Sequence, residues 1–175
     1  MSDAADPFAL LAGVFERAGL GHALIGGHAV NVWLEPRFTA DIDVTVLADL
    51  EALARAEREL AAVGYRPSTT HGADLPSGPD FVRFTRGADD PPIELQAAKT
   101  SLQRELIARA RTAPGTLAVA TPEDLIVLKL IAHRPKDLAD LAGLLALPEL
   151  DWAYVDERAR EWDVMDRLER LRPAR

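Results

Sequence analysis

Residues 24–46 read LIGGHAVNVWLEPRFTADIDVTV, and their order decides the fold. An apolar run reaches the pair Gly26-Gly27, a short helical pattern carries the chain towards Arg37 and Thr39, and a strand opens at Asp41-Ile42-Asp43. Side chains two apart in an extended strand point the same way, so Asp41 and Asp43 share one face while Ile42, Val44 and Val46 serve the opposite, buried one. Two carboxylates held that close repel each other unless a cation sits between them. A hard divalent ion with oxygen ligands, Mg2+ above all, suits such a pair. The glycines fit the same picture: they permit a sharp turn and a close approach to the backbone, and the helix after them offers free N–H groups to an anion.

The rest of the chain supplies the frame. Residues 7–19, PFALLAGVFERAG, predict a first helix with proline near its start and glycine at its end, and His22–Ile25 a short buried strand. Residues 49–63 are an amphipathic helix stopped by Gly64, with a solvated charged face. Tyr65–Thr69 predicts a strand, and residues 71–80, HGADLPSGPD, a loop in which His71 and Asp74 are surface residues or substrate contacts. Phe81–Arg86 and Ile93–Ala97 predict a hairpin. Residues 100–111 predict a helix whose Arg104, Arg109 and Arg111, with Lys99, form a modest basic cluster, either a solvated face or one turned to an RNA or a nucleotide.

Gly115–Ala120 predicts a strand, and Thr121-Pro122-Glu123-Asp124 a helix start with an N-cap threonine, proline at the first position and acids in the first turn. That helix is expected to bury Leu125, Leu128, Ile131 and Ala132, with Lys129 among them. From Leu141 onward the chain predicts helix, broken at Pro148 and capped again at Asp151, with Trp152, Val155, Ala159 and Trp162 turned to the core. The fold class is α+β: a mixed sheet flanked by helices, with a core over residues 1–120 and a C-terminal helical segment over 121–175 packed on it as one unit.

Composition narrows the function. The 175 residues contain no cysteine, which removes disulfides, thiolate zinc sites and cysteine nucleophiles. The start, MSDAADPF, lacks a basic region followed by an apolar run, and no apolar stretch approaches membrane-spanning length, so a cytoplasmic location with no membrane contact is expected. A net charge of -8 argues against general affinity for nucleic-acid backbones.

Glycine pair, short helix, then R-x-T-x-D-I-D-V resembles the signature of the DNA polymerase beta-like nucleotidyltransferases, and most closely that of the type IV abortive-infection toxin nucleotidyltransferases. A second stretch, Leu128 to Leu141, has the pattern L-K-L-x-A-x-R-x-K-D-x-x-D-L and resembles the C-terminal motif of the same group. The resemblance implies metal ligation and catalysis by Asp41 and Asp43. A third carboxylate stands on a later strand in that superfamily; Glu94 is the candidate, its alternative being an acid that merely faces water. Gly26, Gly27, Arg37 and Thr39 would contact the nucleotide, Lys129 and Lys136 would bind triphosphate oxygens, Arg134 would assist, and Asp137 or Asp140 would orient a basic side chain. His28 is either a nucleotide contact or a histidine with no chemical role.

The implied activity is Mg2+-dependent transfer of an NMP from an NTP, ATP among them, to an acceptor hydroxyl. By resemblance the acceptor is the 3' end of tRNA and the chain is the toxin paired with a cognate antitoxin. The alternatives are an aminoglycoside or lincosamide antibiotic nucleotidyltransferase, and a non-catalytic nucleotide-binding module or antitoxin of the same fold.

Overall fold

The computed structural model describes residues 6–112 and 116–173, and the chain divides into two compact units. The first comprises Met1–His28 with Phe38–Ala120, the second Ala29–Arg37 with Thr121–Arg175.

The first unit is built on a mixed five-stranded sheet of order β1-β2-β5-β4-β3. Its strands are β1 (Gly21–Leu24), β2 (Ile42–Leu47), β3 (Arg66–His71), β4 (Phe81–Thr85) and β5 (Ile93–Ala97). β2 runs antiparallel to β1 and parallel to β5, while β4 is antiparallel to both β5 and β3. The anticipated hairpin is therefore β4–β5, and its second strand inserts beside β2. Alternation holds along the central strands: Ile42, Val44, Val46, Val82, Phe84, Ile93 and Leu95 are buried, and Asp43, Arg83 and Glu94 lie between them on the other face.

Helices α1 (Pro7–Ala18) and α3 (Leu50–Ala62) pack on each other, α3 also meets β3, and α4 (Ser101–Arg109) lies against β1 and β2. Local chemistry sets their ends. Asp6 caps α1 through the N–H of Phe8, and Gly19, at φ 67°, stops it in the left-handed conformation glycine adopts freely. Asp49 caps α3 through Ala52, and Thr100 with Gln103 forms a capping box on α4. The strand expected over Gly115–Ala120 reduces to single bridges at Val119, which pairs with Leu24 and Arg111; Gly115 itself lies outside the described residues.

Helix α2 (Gly26–Trp33) opens in the first unit, and from Ala29 on its residues belong to the second. The second unit is helical: α5 (Pro122–Ala132), α6 (Pro135–Leu145), α7 (Trp152–Glu161) and α8 (Met165–Leu171). Thr121 caps α5 and Pro122 opens it, as its sequence dictates. The expected buried face of α5 needs correction: Leu125, Ile126, Val127 and Leu130 are buried, Leu128 and Ile131 are half-buried, and Ala132 is exposed. Both α6 and α7 pack on this helix, so burial runs round most of it instead of following one stripe. Another break falls at Trp162–Val164, where Asp163 takes φ 54° and separates α7 from α8.

Candidate functional site

The acidic face of the first unit is assembled by strand register. Asp43 on β2 is the partner of Glu94 on β5, and Glu94 is the partner of Arg83 on β4. Three charged residues thus form one row across three adjacent strands, on the face opposite the apolar core. Asp41, two residues before Asp43, joins them through Arg83, whose Nη2 donates to Asp41 Oδ1 at 2.8 Å while its Nη1 donates to Glu94 Oε1. A single guanidinium therefore forks two of the three carboxylates.

The glycine pair is fitted to side chains of the same unit. Gly26 has φ 65°, and a Cβ built on it would stand 2.0 Å from Asp43 Oδ2. At Gly27 a Cβ would stand 2.5 Å from Thr39 Oγ1. Real Cβ atoms do not approach so closely; the carboxylate of Asp43 and the hydroxyl of Thr39 lie in the space the two missing side chains leave. The peptide N–H of Ile25 donates to the carbonyl of Asp43 at 2.9 Å, so the turn into α2 is tied directly to the acidic strand.

The donor set suits magnesium in chemistry: every candidate ligand is a hard carboxylate oxygen, and Asp43 sits beside bare backbone where no Cβ intrudes. Asp41 and Glu94 close on Arg83, and among the described residues no three acids or histidines stand grouped as a ready metal cage. Asp41 and Asp43 are thus the ligand candidates, with Glu94 next to them in register.

In the second unit the residues of the 128–141 motif form a buried charge network. Pro135 disfavours an α conformation at the preceding residue, and Arg134 takes ψ 158°; His133, at φ 47°, turns the chain. Helix α6 consequently folds back on α5. Lys129, 6 % exposed, then donates through Nζ to Asp140 Oδ2 at 2.6 Å and to Asp137 Oδ1 at 3.3 Å. Arg37 clasps Asp140 with two parallel bonds, Nε to Oδ1 at 2.8 Å and Nη2 to Oδ2 at 2.6 Å. Asn31 fixes the backbone of Arg37 from both sides, accepting from its N–H at 3.1 Å and donating to its carbonyl at 2.7 Å. Arg134 closes the series, its Nε donating to Asp137 Oδ2 at 2.8 Å and its backbone N–H to the same oxygen at 3.0 Å.

Burial by itself would push the Asp137 carboxyl up; the Arg134 guanidinium and N–H and the Lys129 ammonium outweigh it and hold the group at about 2. Asp140 is also held below the usual carboxylate range, its burial outweighed by Arg37 and Lys129. Arg37 is raised in turn by its bond to Asp140. Lys129 is thus the internal cation of two buried acids, and the cations that reach water are Arg37, Arg134 and the exposed Lys136.

The remaining candidates are placed as follows. His28 packs edge-on against Phe8 at 5.0 Å, and His71 ends β3 with its ring 5.6 Å from Phe81. Asp74 is an exposed loop residue. Lys99 is engaged by Asp80 and by the carbonyl of Gly78, each at 2.6 Å, so it belongs to the fold of the preceding loop. Arg83 and Asn31 escaped the sequence reading. Arg83 could be found only by fixing its register against Glu94, and the long turn between β4 and β5 leaves that register unspecified.

A family model described as "Nucleotidyl transferase AbiEii toxin, Type IV TA system" matches residues 9–171, and the chain belongs to that family. Solved structures of the same fold include the antibiotic-resistance factor ANT(2'')-Ia. Its solution structure is 17 % identical, with a TM-score of 0.60 over 92 % of each chain; its crystal structure with adenylyl-2''-tobramycin is 16 % identical, with a TM-score of 0.58 over 87 % of this chain and 92 % of that one. An antigenic nucleotidyltransferase-like protein from Paracoccidioides brasiliensis is 14 % identical, with a TM-score of 0.55 over 94 % of this chain and 89 % of that one. No curated protein matches the chain. Among the described residues no helix is long and apolar enough to cross a membrane.

Proposed function

We propose that this chain transfers a nucleoside monophosphate from an NTP to the hydroxyl of an RNA, with tRNA 3' ends as the acceptor class, and that it is the toxin of a toxin-antitoxin pair. The observation that carries the reading is the packing of Asp43 onto Gly26, which joins the acidic strand and the anion-binding helix start in one rigid piece. Family membership supports nucleotidyl transfer and the toxin context.

Asp41 and Asp43 would hold magnesium, which supplies charge neutralisation on the transferring phosphate. The N–H groups opening α2 at Gly26 and Gly27 would receive phosphate oxygens, as free helix starts do. Thr39, lodged against Gly27, keeps that turn in shape. The acceptor hydroxyl oxygen attacks the α-phosphorus in line, its bond to the bridging oxygen breaks, and pyrophosphate leaves. Glu94, beside Asp43 in register, would take the proton of the attacking hydroxyl. In the second unit the exposed edges of Arg37 and Arg134, with Lys136, are the anion-binding groups, and Lys129 holds Asp137 and Asp140 so that those arginines keep their directions.

The protein is incubated with each α-32P-labelled NTP and magnesium, with total tRNA in one arm and tobramycin in the other. Label entering RNA, and absent with Asp43→Ala, is the expected result. Label on tobramycin alone would replace the RNA acceptor by an aminoglycoside, and magnesium-dependent NTP binding without transfer to either would reduce the chain to a binding module. Growth arrest on expression, relieved by Asp43→Ala, tests the toxin role.

A further inference from the structure

The acidic row contains one cation of its own. Arg83 lies between buried Val82 and Phe84, so alternation turns it away from the core and onto the face that carries Glu94 and Asp43. Its two terminal nitrogens go to different carboxylates, Asp41 and Glu94, which belong to different strand regions and share no other pairing partner in the row. Such half-exposed ion pairs contribute little to stability, so a purely structural account leaves the placement without a reason. Electrostatics provides one: three carboxylates on a single face repel, and a forked guanidinium satisfies two of them where a divalent ion would otherwise sit.

We propose that Arg83 is the resident counter-ion of the acidic site and, by holding Asp41 and Glu94, competes with the divalent metal for the negative charge of that face. The inference rests on the reading of Asp41 and Asp43 as metal ligands. While the guanidinium spans Asp41 and Glu94, a metal gains only part of the available negative charge and binds weakly by itself. A polyphosphate brings further oxygen ligands and gives the displaced guanidinium an anion to meet, so metal and nucleotide bind together. Arg83 thus keeps the protein largely metal-free until the substrate is present.

The test is Mn2+ binding in the absence of nucleotide, read from the electron paramagnetic resonance of free Mn2+. Arg83→Gln is expected to bind Mn2+ about tenfold more tightly than the native protein, since two half-exposed ion pairs no longer oppose it. Arg83→Lys keeps the charge and should stay within about threefold of native. Adding Asp43→Asn to Arg83→Gln should abolish the gain. Equal, Asp43-dependent affinities in the native protein and Arg83→Gln would overturn the competition and leave the metal site standing. Absence of Asp43-dependent Mn2+ binding in both would remove the metal reading and this inference with it. A second measurement needs no variant: the Nε–H resonance of Arg83 in 15N-labelled native protein should shift as Mg2+ and α,β-methylene-NTPs are added together. A resonance unmoved while those ligands bind would also overturn the proposal.

Discussion

The carboxylate of Asp43 rests on the bare Cα of Gly26, so close that a methyl group at Gly26 would lie 2.0 Å from Oδ2. Residues 17 apart in sequence thereby set one another's position, and the acid keeps its place only while residue 26 lacks a side chain.

Gly26→Ala should consequently cost both stability and activity. The left-handed φ of 65° becomes strained, by about 1–2 kcal/mol, and Asp43 must move. On the metal-holding role proposed for Asp43, its displacement should lower nucleotidyl transfer on the order of a hundredfold. Urea unfolding and label transfer measure the two effects; a folded variant with native transfer rates would show that Asp43 tolerates displacement.

Lys129→Met should destabilise the chain by about 3 kcal/mol, because it leaves the buried carboxylates of Asp137 and Asp140 short of a cation. In Lys129→Met/Asp140→Asn the loss should be smaller than the two single losses added, since both act on one network. Four urea midpoints complete the cycle, and additive losses would show that the ion pair contributes nothing.

Acidification should draw on the same network. The carboxyl of Asp137 sits at about 2 in the folded protein against an ordinary 3.8. A group depressed on folding contributes in full above its unfolded value and loses that contribution as pH falls through the folded one. The stability at stake is about 2 kcal/mol, lost between about pH 4 and pH 2. The slope of unfolding free energy against pH over that range should be shallower in Asp137→Asn; an unchanged slope would contradict the assignment.

His22 should titrate below its ordinary 6.5, because burial disfavours the charged ring more than the Leu20 carbonyl favours it. Nδ1 donates to that carbonyl at 3.1 Å and Nε2 accepts the N–H of Ala118 at 3.2 Å, so a second proton would remove an acceptor. With the folded pKa depressed, stability is complete above 6.5 and falls as pH drops through the folded value. The His22 Cε1 proton resonance gives the midpoint directly, and a midpoint above 6.5 would refute this.

Much of the frame could be read along the chain because its causes are local. Asp41-Ile42-Asp43-Val44 fixes which residues face the core by alternation alone, and Thr121-Pro122 starts α5 with a cap and a preset φ. Gly19 ends α1 for the same kind of reason. Short-range sterics and hydrogen bonds decide such features whatever the rest of the molecule does.

Other features depend on residues far apart in sequence meeting. Arg83 reaches Asp41 across 42 residues, and Arg37 reaches Asp140 across 103. Lys129 is an ion-paired core residue because Pro135 turns α6 back onto α5, and α5 is buried nearly all round because two further helices pack on it. Sequence by itself determined most of the elements, several of their ends and the Asp41–Asp43 pair, but neither the loss of the strand expected over Gly115–Ala120 nor the break at Asp163. Tertiary structure decided which charges pair, since pairing depends on strand register and helix packing, and neither is encoded within a single turn or strand.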